Sequence, residues 1–173
     1  EIARLTAEAH DSDEIADDPI LAREAPAILA SEAEVFKARR SRQEQEVSIL
    51  AEQLVQKEQE LAELEARKAK LQATKEPLDR EMALTTRMNQ RGVVPEIELL
   101  RLQREAAEMV GELAILEASL PRARSAILEA RNRIDNVRAA GRAEARERLV
   151  KANAELAIIE ESMKGAEDKV ART

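Results

Sequence analysis

The side chains able to do chemistry in this 173-residue chain are few and poorly placed for it. His10 is the only histidine, and it lies beside Asp11 and Asp13 in a run of turn-forming residues. One imidazole with two nearby carboxylates would hold a metal weakly, and the spacing matches no strong metal motif. A solvated loop is the plainer reading. The carboxylate pairs Glu58 with Glu60 and Glu160 with Glu161 fall on exposed helix surface. Nothing there would desolvate them or shift their pKa values, as acid–base catalysis requires. There is no cysteine, which excludes disulfides and thiolate chemistry. The sequence therefore implies no enzyme, no metal and no cofactor.

Composition points the same way. A single aromatic residue, Phe36, four glycines and 36% charged residues cannot build a thick globular core. Abundant Ala, Glu, Leu and Arg at heptad spacing builds long helices instead. The net charge of −7 is spread along the chain, with no basic stripe for a phosphate backbone, so nucleic-acid binding is disfavoured. No apolar run approaches the roughly 20 residues that span a bilayer, and no signal peptide is present. The chain begins at Glu1 with a helical pattern already under way at Ile2, which reads as the middle piece of a longer protein.

The pattern that must position any site is a pair of heptad runs meeting at Arg91-Gly92-Val93-Val94-Pro95. Before it, Val47, Leu50, Leu54, Leu61, Leu64, Leu71, Leu78 and Met82 alternate steps of three and four with Lys57, Lys68 and Lys75. After it, the same steps run from Leu99 through Leu102, Ala106, Met109, Leu113, Leu116, Leu120 and Ile127 to Val137. The pairs Leu78/Met109, Leu71/Leu116 and Leu64/Ala123 share one sum of position numbers; Met82/Ala106, Leu61/Ile127 and Leu54/Ile134 share another, one larger. Constant sums are what an antiparallel two-helix seam requires. The fold class is all-α: a long antiparallel coiled-coil hairpin with a short N-terminal helix thickening its base. Residues 1–26 form that helix with a loop and a second short helix, 27–91 the ascending arm, 92–95 the tip turn, and 96–173 the returning arm. The breaks fall at His10 to Asp13 and at Asp17-Asp18-Pro19, where cap and turn formers cluster.

Three features qualify the hairpin. Pro77 and Pro121 lie inside the arms, and each should bend its helix. Lys57, Lys68 and Lys75 occupy seam positions: their stems pack across the seam while the ammonium groups reach water, or they specify register, or the arm packs sideways against neighbours. Near Gly141 the seam changes phase. Arg138 to Arg148 is nearly all Arg, Ala and Glu, the set Leu149, Ala152, Leu156, Ile159, Met163, Ala166 and Val170 is shifted by one residue, and Gln43 and Arg40 on the other arm are polar. The two-stranded seam is expected to weaken at that height.

The tip is the best candidate for binding. Gly92 stops the first arm and Pro95 fits the first turn of the second, with Glu96 at its positive end. Val93 and Val94 are apolar at a turn a free hairpin would expose, flanked by Arg87 and Arg91. They either plug the end of the seam or dock a partner helix end.

The run Met88 to Glu105, MNQRGVVPEIELLRLQRE, resembles the turn of the HlyD-family periplasmic adaptors, the membrane fusion proteins of type I secretion systems. In that family a Gly-Val/Ala-Val/Ile-Ser segment leads into an Ile/Val-Glu-Leu-Leu-Arg-Leu helix. The run Phe36-Lys-Ala-Arg-Arg40, the Leu-Pro-Arg-Ala at 120–123 and the closing segment 166–173 are also similar. The resemblance implies a periplasmic protein of a Gram-negative bacterium, anchored in the inner membrane through segments outside these residues. It implies an ABC transporter as inner-membrane partner, a TolC-like outer-membrane channel met by the tip, and self-assembly, commonly into a hexamer. Many adaptors carry Arg, Leu and Ser at set spacing in the tip. Here those positions are Leu84, Met88 and Pro95, which leaves Arg87 or Arg91 to supply the charge. The alternative from another class is an intracellular coiled-coil arm of an ATPase or a nucleic-acid-handling protein, which would carry clustered Lys and Arg on one flank.

Overall fold

A chain that cannot fill a thick core folds by laying apolar stripes together. The structure, a computed structural model, describes residues 1–16 and 19–171; Asp17, Asp18, Arg172 and Thr173, on which parts of the turn and the closing segment rest, lie outside the described residues. It contains α1 (Ile2–Ala9), α2 (Pro19–Glu24), α3 (Pro26–Gln90) and α4 (Glu96–Ala171), with α3 and α4 forming the antiparallel hairpin. Pro19 and Pro26 each open a helix, where the missing N–H would have had no partner. Both long helices continue without interruption through Pro77 and Pro121. Among the described residues no helix is long and apolar enough to cross a membrane.

Packing divides the chain into two units. The distal one, Ala51–Arg131, contains the ends of the arms and the turn. Its buried cluster is Leu78, Leu102 and Met109, with Leu71, Met82 and Ala106 packed against it. Leu78 with Met109 and Met82 with Ala106 are two of the layers the constant sums specify. Farther along, Leu116, Leu120 and Ile127 are buried on α4. Lys57, Lys68 and Lys75 are half-buried at the seam, and their ammonium groups reach Glu60, Glu117 and Asp79 at its edge. Long stems covering apolar surface with solvated heads account for lysines in these positions. Ion pairs Arg67–Glu112, Arg124–Glu65 (3.1 Å) and Arg131–Glu58 (2.8 Å) bridge the two arms beside the seam.

The second unit contains α1, α2, the start of α3 and the end of α4. Here α1 adds a third strand: Leu5 is fully buried, with Ala7, Ala9, Phe36 on α3 and Ala145 on α4. Arg4, only 6% exposed, runs its guanidinium between Glu32 on α3 and Glu8, both at 2.6 Å. Burial alone would lower the Arg4 pKa; the hydrogen bonds it donates to Glu32 and Glu8 outweigh it and raise the value.

The stretch expected to weaken the seam keeps the arms in contact but changes phase there. An ideal Cβ on Gly141 would lie 3.2 Å from the Gln43 amide nitrogen, so the missing side chain lets the two arms close over Gln43. Burial on α4 then steps from Val137 through Gly141 and Ala145 to Leu149 and Ala152, in three successive steps of four. Such a local excess of fours unwinds the left-handed supercoil. Ala145 is among the most buried residues of the chain because the third helix brings enough apolar surface that a methyl group suffices. Beyond Ala152 the shifted apolar set is exposed: Leu156, Ile159 and Met163 are all open.

Candidate functional site: the hairpin tip

A helix that must reverse direction has four terminal carbonyls to satisfy, and backbone N–H groups after Gln90 reach those of Met88 and Asn89. Gly92 has φ 71°. Its N–H donates to the Asn89 carbonyl at 2.8 Å, and the Val93 N–H donates to the Met88 carbonyl at 3.0 Å. This is a Schellman closure, with the left-handed residue one past the cap and the next N–H reaching back five residues. A side chain at Gly92 would meet no neighbour, so the constraint there is backbone conformation, not space. The Asn89 side-chain amide donates to the Val94 carbonyl at 3.0 Å, tying the outgoing strand of the turn to the end of α3. Pro95 directly precedes α4, and its carbonyl accepts from the Glu98 N–H at 3.2 Å. Glu96 and Glu98 stand in the first turn of α4, where the positive helix end favours carboxylates.

The turn brings all eight candidate residues into one short segment and separates their roles. Val93 is 64% exposed, whereas Val94 is half-buried with its carbonyl held by Asn89. Val94 is thus partly covered, and Val93 stands open. Met88 is half-buried and supplies the carbonyl that Val93 caps. Arg87 folds back along α3 and donates to the Ala83 carbonyl at 3.2 Å, where a cation also meets the negative helix end. Arg91, Gly92, Pro95 and Glu96 are exposed. Leu84, where the resemblance puts an arginine, is 54% exposed.

Two further apolar residues belong to this end of the molecule. Ile97 and Leu100 are exposed on the first turns of α4 and line a shallow cleft with Glu98, Arg101 and Arg104. Their signal was in the sequence: both lie off the seam marked by Leu99 and Leu102, on positions that water normally claims for polar side chains. Arg101 donates to Glu98 at 2.9 Å.

Elsewhere the groups singled out for chemistry are occupied structurally. The His10 ring nitrogen Nδ1 lies 2.8 Å from the Thr6 carbonyl, at the end of α1. Asp13 pairs with Arg40, and Asp11 (φ 57°) lies 3.8 Å from Arg142. Among the described residues no three His, Cys, Asp or Glu groups gather closely enough for a metal, and no buried side-chain polar atom lacks a partner.

The fold has a solved counterpart. The soluble domain of LipC, a membrane fusion protein of a type I secretion system, superposes with a TM-score of 0.84 at 20% identity, covering 96% of this chain and 80% of that one. No curated protein matches the chain in sequence. The family described as AprE, long alpha-helical hairpin, matches residues 1–169. With the seam, the capped turn and the docked N-terminal helix all present, the chain belongs to the AprE long alpha-helical hairpin family.

Proposed function

We propose that this chain is the hairpin segment of a type I secretion membrane fusion protein, a non-enzymatic adaptor working in the periplasm. In this reading the arms set a distance, copies of the adaptor assemble side by side, commonly six, and the tip docks a TolC-like outer-membrane channel. An inner-membrane ABC transporter is engaged by parts of the protein outside these residues. Membership of the AprE hairpin family and the shared fold with LipC support the adaptor role. The observation that carries tip docking is Val93: a β-branched apolar side chain, 64% exposed, on a turn closed rigidly by its own backbone. A rigid apolar point loses little conformational freedom on binding, which favours it as an anchor.

The intracellular-arm alternative finds no support in the charge distribution. Among the described residues, the cross-arm pairs draw their arginines from both arms, Arg67 from one and Arg124 and Arg131 from the other, and each is neutralised by a glutamate opposite. The test is Val93→Asp in the intact secretion system. Export should fall by at least about tenfold, since one buried apolar contact replaced by a charge costs more than 1.4 kcal/mol of docking. Circular dichroism and the melting temperature should not move. Full export by that variant would overturn tip docking.

A further inference from the structure

The outward side of α4 just past the turn carries apolar side chains where a free helix would be polar. Leu100, Arg101 and Arg104 stand three, four and seven residues after Ile97, so the four form one stripe along the helix. The seam residues Leu99 and Leu102 lie on the other side; Leu102 is 3% exposed, against 71% for Ile97 and 52% for Leu100. Both arginines hold exposed partners, with Glu98 at 2.9 Å from Arg101 and Glu108 at 3.9 Å from Arg104. Pairs of this kind contribute little at a solvated surface, so carboxylates of a partner can replace them at small cost. The end of α3 at the same level differs. It opens one large apolar side chain, Leu84, and its Arg87 is folded back on the Ala83 carbonyl.

We infer that this stripe is a second contact surface of the tip, separate from Val93, and that it takes an acidic segment of the channel in which carboxylates flank a large apolar side chain. The inference rests on the tip-docking reading and adds which arm faces the channel: α4, not α3. Three observations favour that occupant. First, the stripe continues from the docking point. Ile97 stands four residues after Val93, and the stripe covers about 10 Å of helix axis, so one partner surface reaches both. Second, the shape is receptive. Ile97 and Leu100 line a shallow cleft with Glu98, Arg101 and Arg104, which a protruding side chain can enter. Third, the chemistry is mixed in a selective way. Guanidinium groups grip carboxylates in two-pronged fashion, and the apolar pair beside them contributes burial. A channel with basic residues at that place would be repelled, so Arg101 and Arg104 select among channels.

The test places a photo-crosslinking residue at Ile97, and separately at Leu84 and at Val93, in the intact secretion system. Capture of the outer-membrane channel at Ile97, several-fold above capture at Leu84, is the expected result. Capture at Val93 with none at Ile97 would overturn the stripe and leave tip docking standing; capture at neither would overturn both. Equal capture at Leu84 and Ile97 would overturn the choice of arm. Adducts of the adaptor with itself at Ile97, in place of the channel, would give the stripe to a second copy and overturn the inference. The partner's charge is read with the crosslinker at Val93. Arg101→Glu with Arg104→Glu should lower capture of the channel about tenfold, and Arg101→Lys with Arg104→Lys should lower it less. Both arginines are exposed, so circular dichroism of either variant should match wild type. Unchanged capture after the charge reversal would overturn the acidic partner.

Discussion

Leu5 and Leu102 are the same side chain buried in two different kinds of core. Leu5 lies in the three-helix unit, fully enclosed, beside Arg4 whose charge is held by Glu32 and Glu8. Leu102 lies in the two-helix distal unit, 3% exposed, in a seam one layer thick with solvent on either side. The first unit concentrates its stability in a few residues; the second distributes it over many equivalent layers with ion pairs at the edge. A distributed seam can lose one layer and persist, which suits an arm that must end in an exposed apolar turn. A concentrated core fixes one helix in one register, which suits a docked third strand.

The largest effect should come from Leu5→Ala. A fully enclosed leucine leaves a cavity that three helices cannot close, at a cost of about 3–4 kcal/mol in chemical denaturation. The same change at Leu102 should cost about 2 kcal/mol, because side chains and water at the seam edge relax into the gap. Equal costs at the two positions would erase the distinction between the units. Arg4→Ala leaves Glu32 and Glu8 without their shared cation. The carboxylates are partly solvated, so the loss should be about 2 kcal/mol, read most directly as lost hydrogen-exchange protection in α1. At the turn, Gly92→Ala forces a left-handed conformation on a residue with a Cβ and should cost about 1 kcal/mol. Arg67→Ala removes an exposed cross-arm pair and should cost about 0.5 kcal/mol or less.

Acid should separate the units as well. The hydrogen bond from Arg4, opposed by burial, lowers the Glu32 pKa below the ordinary glutamate value. A carboxylate lowered on folding stabilises fully above its unfolded pKa, and that contribution is lost as pH falls through the ordinary range toward the lowered one. Protection of α1 should therefore fall in that window before protection of the distal seam does. Hydrogen exchange followed from neutral pH downward in wild type and in Glu32→Gln checks it, since the variant should lose most of the dependence.

Much of this molecule was legible in its residues, and the reason is the periodic seam. Constant sums between the arms fixed the hairpin, its register and its turn, because a two-stranded coil has one geometric rule and every layer repeats it. The turn residues were equally readable, since only glycine enters the left-handed region cheaply and Gly92 stands between two apolar patterns. The base was less readable. Arg138 to Arg148 looks like a failing seam until α1 supplies a third surface, and no local pattern announces that Ala145 will be enclosed. The different exposure of Val93 and Val94 was also hidden, because it depends on the path of the turn, where the Asn89 side chain holds the Val94 carbonyl. Ile97 and Leu100 are legible as off-seam apolar residues, but only the structure shows them exposed beside Arg101 and Arg104.

The central claim is that the exposed turn meets a partner, and contact at Val93 tests it most directly. A photo-crosslinking residue placed at Val93 in the intact secretion system should capture the outer-membrane channel, while the same residue at Ile49, exposed on the other unit, should not. Capture at Ile49 with none at Val93 would contradict the account.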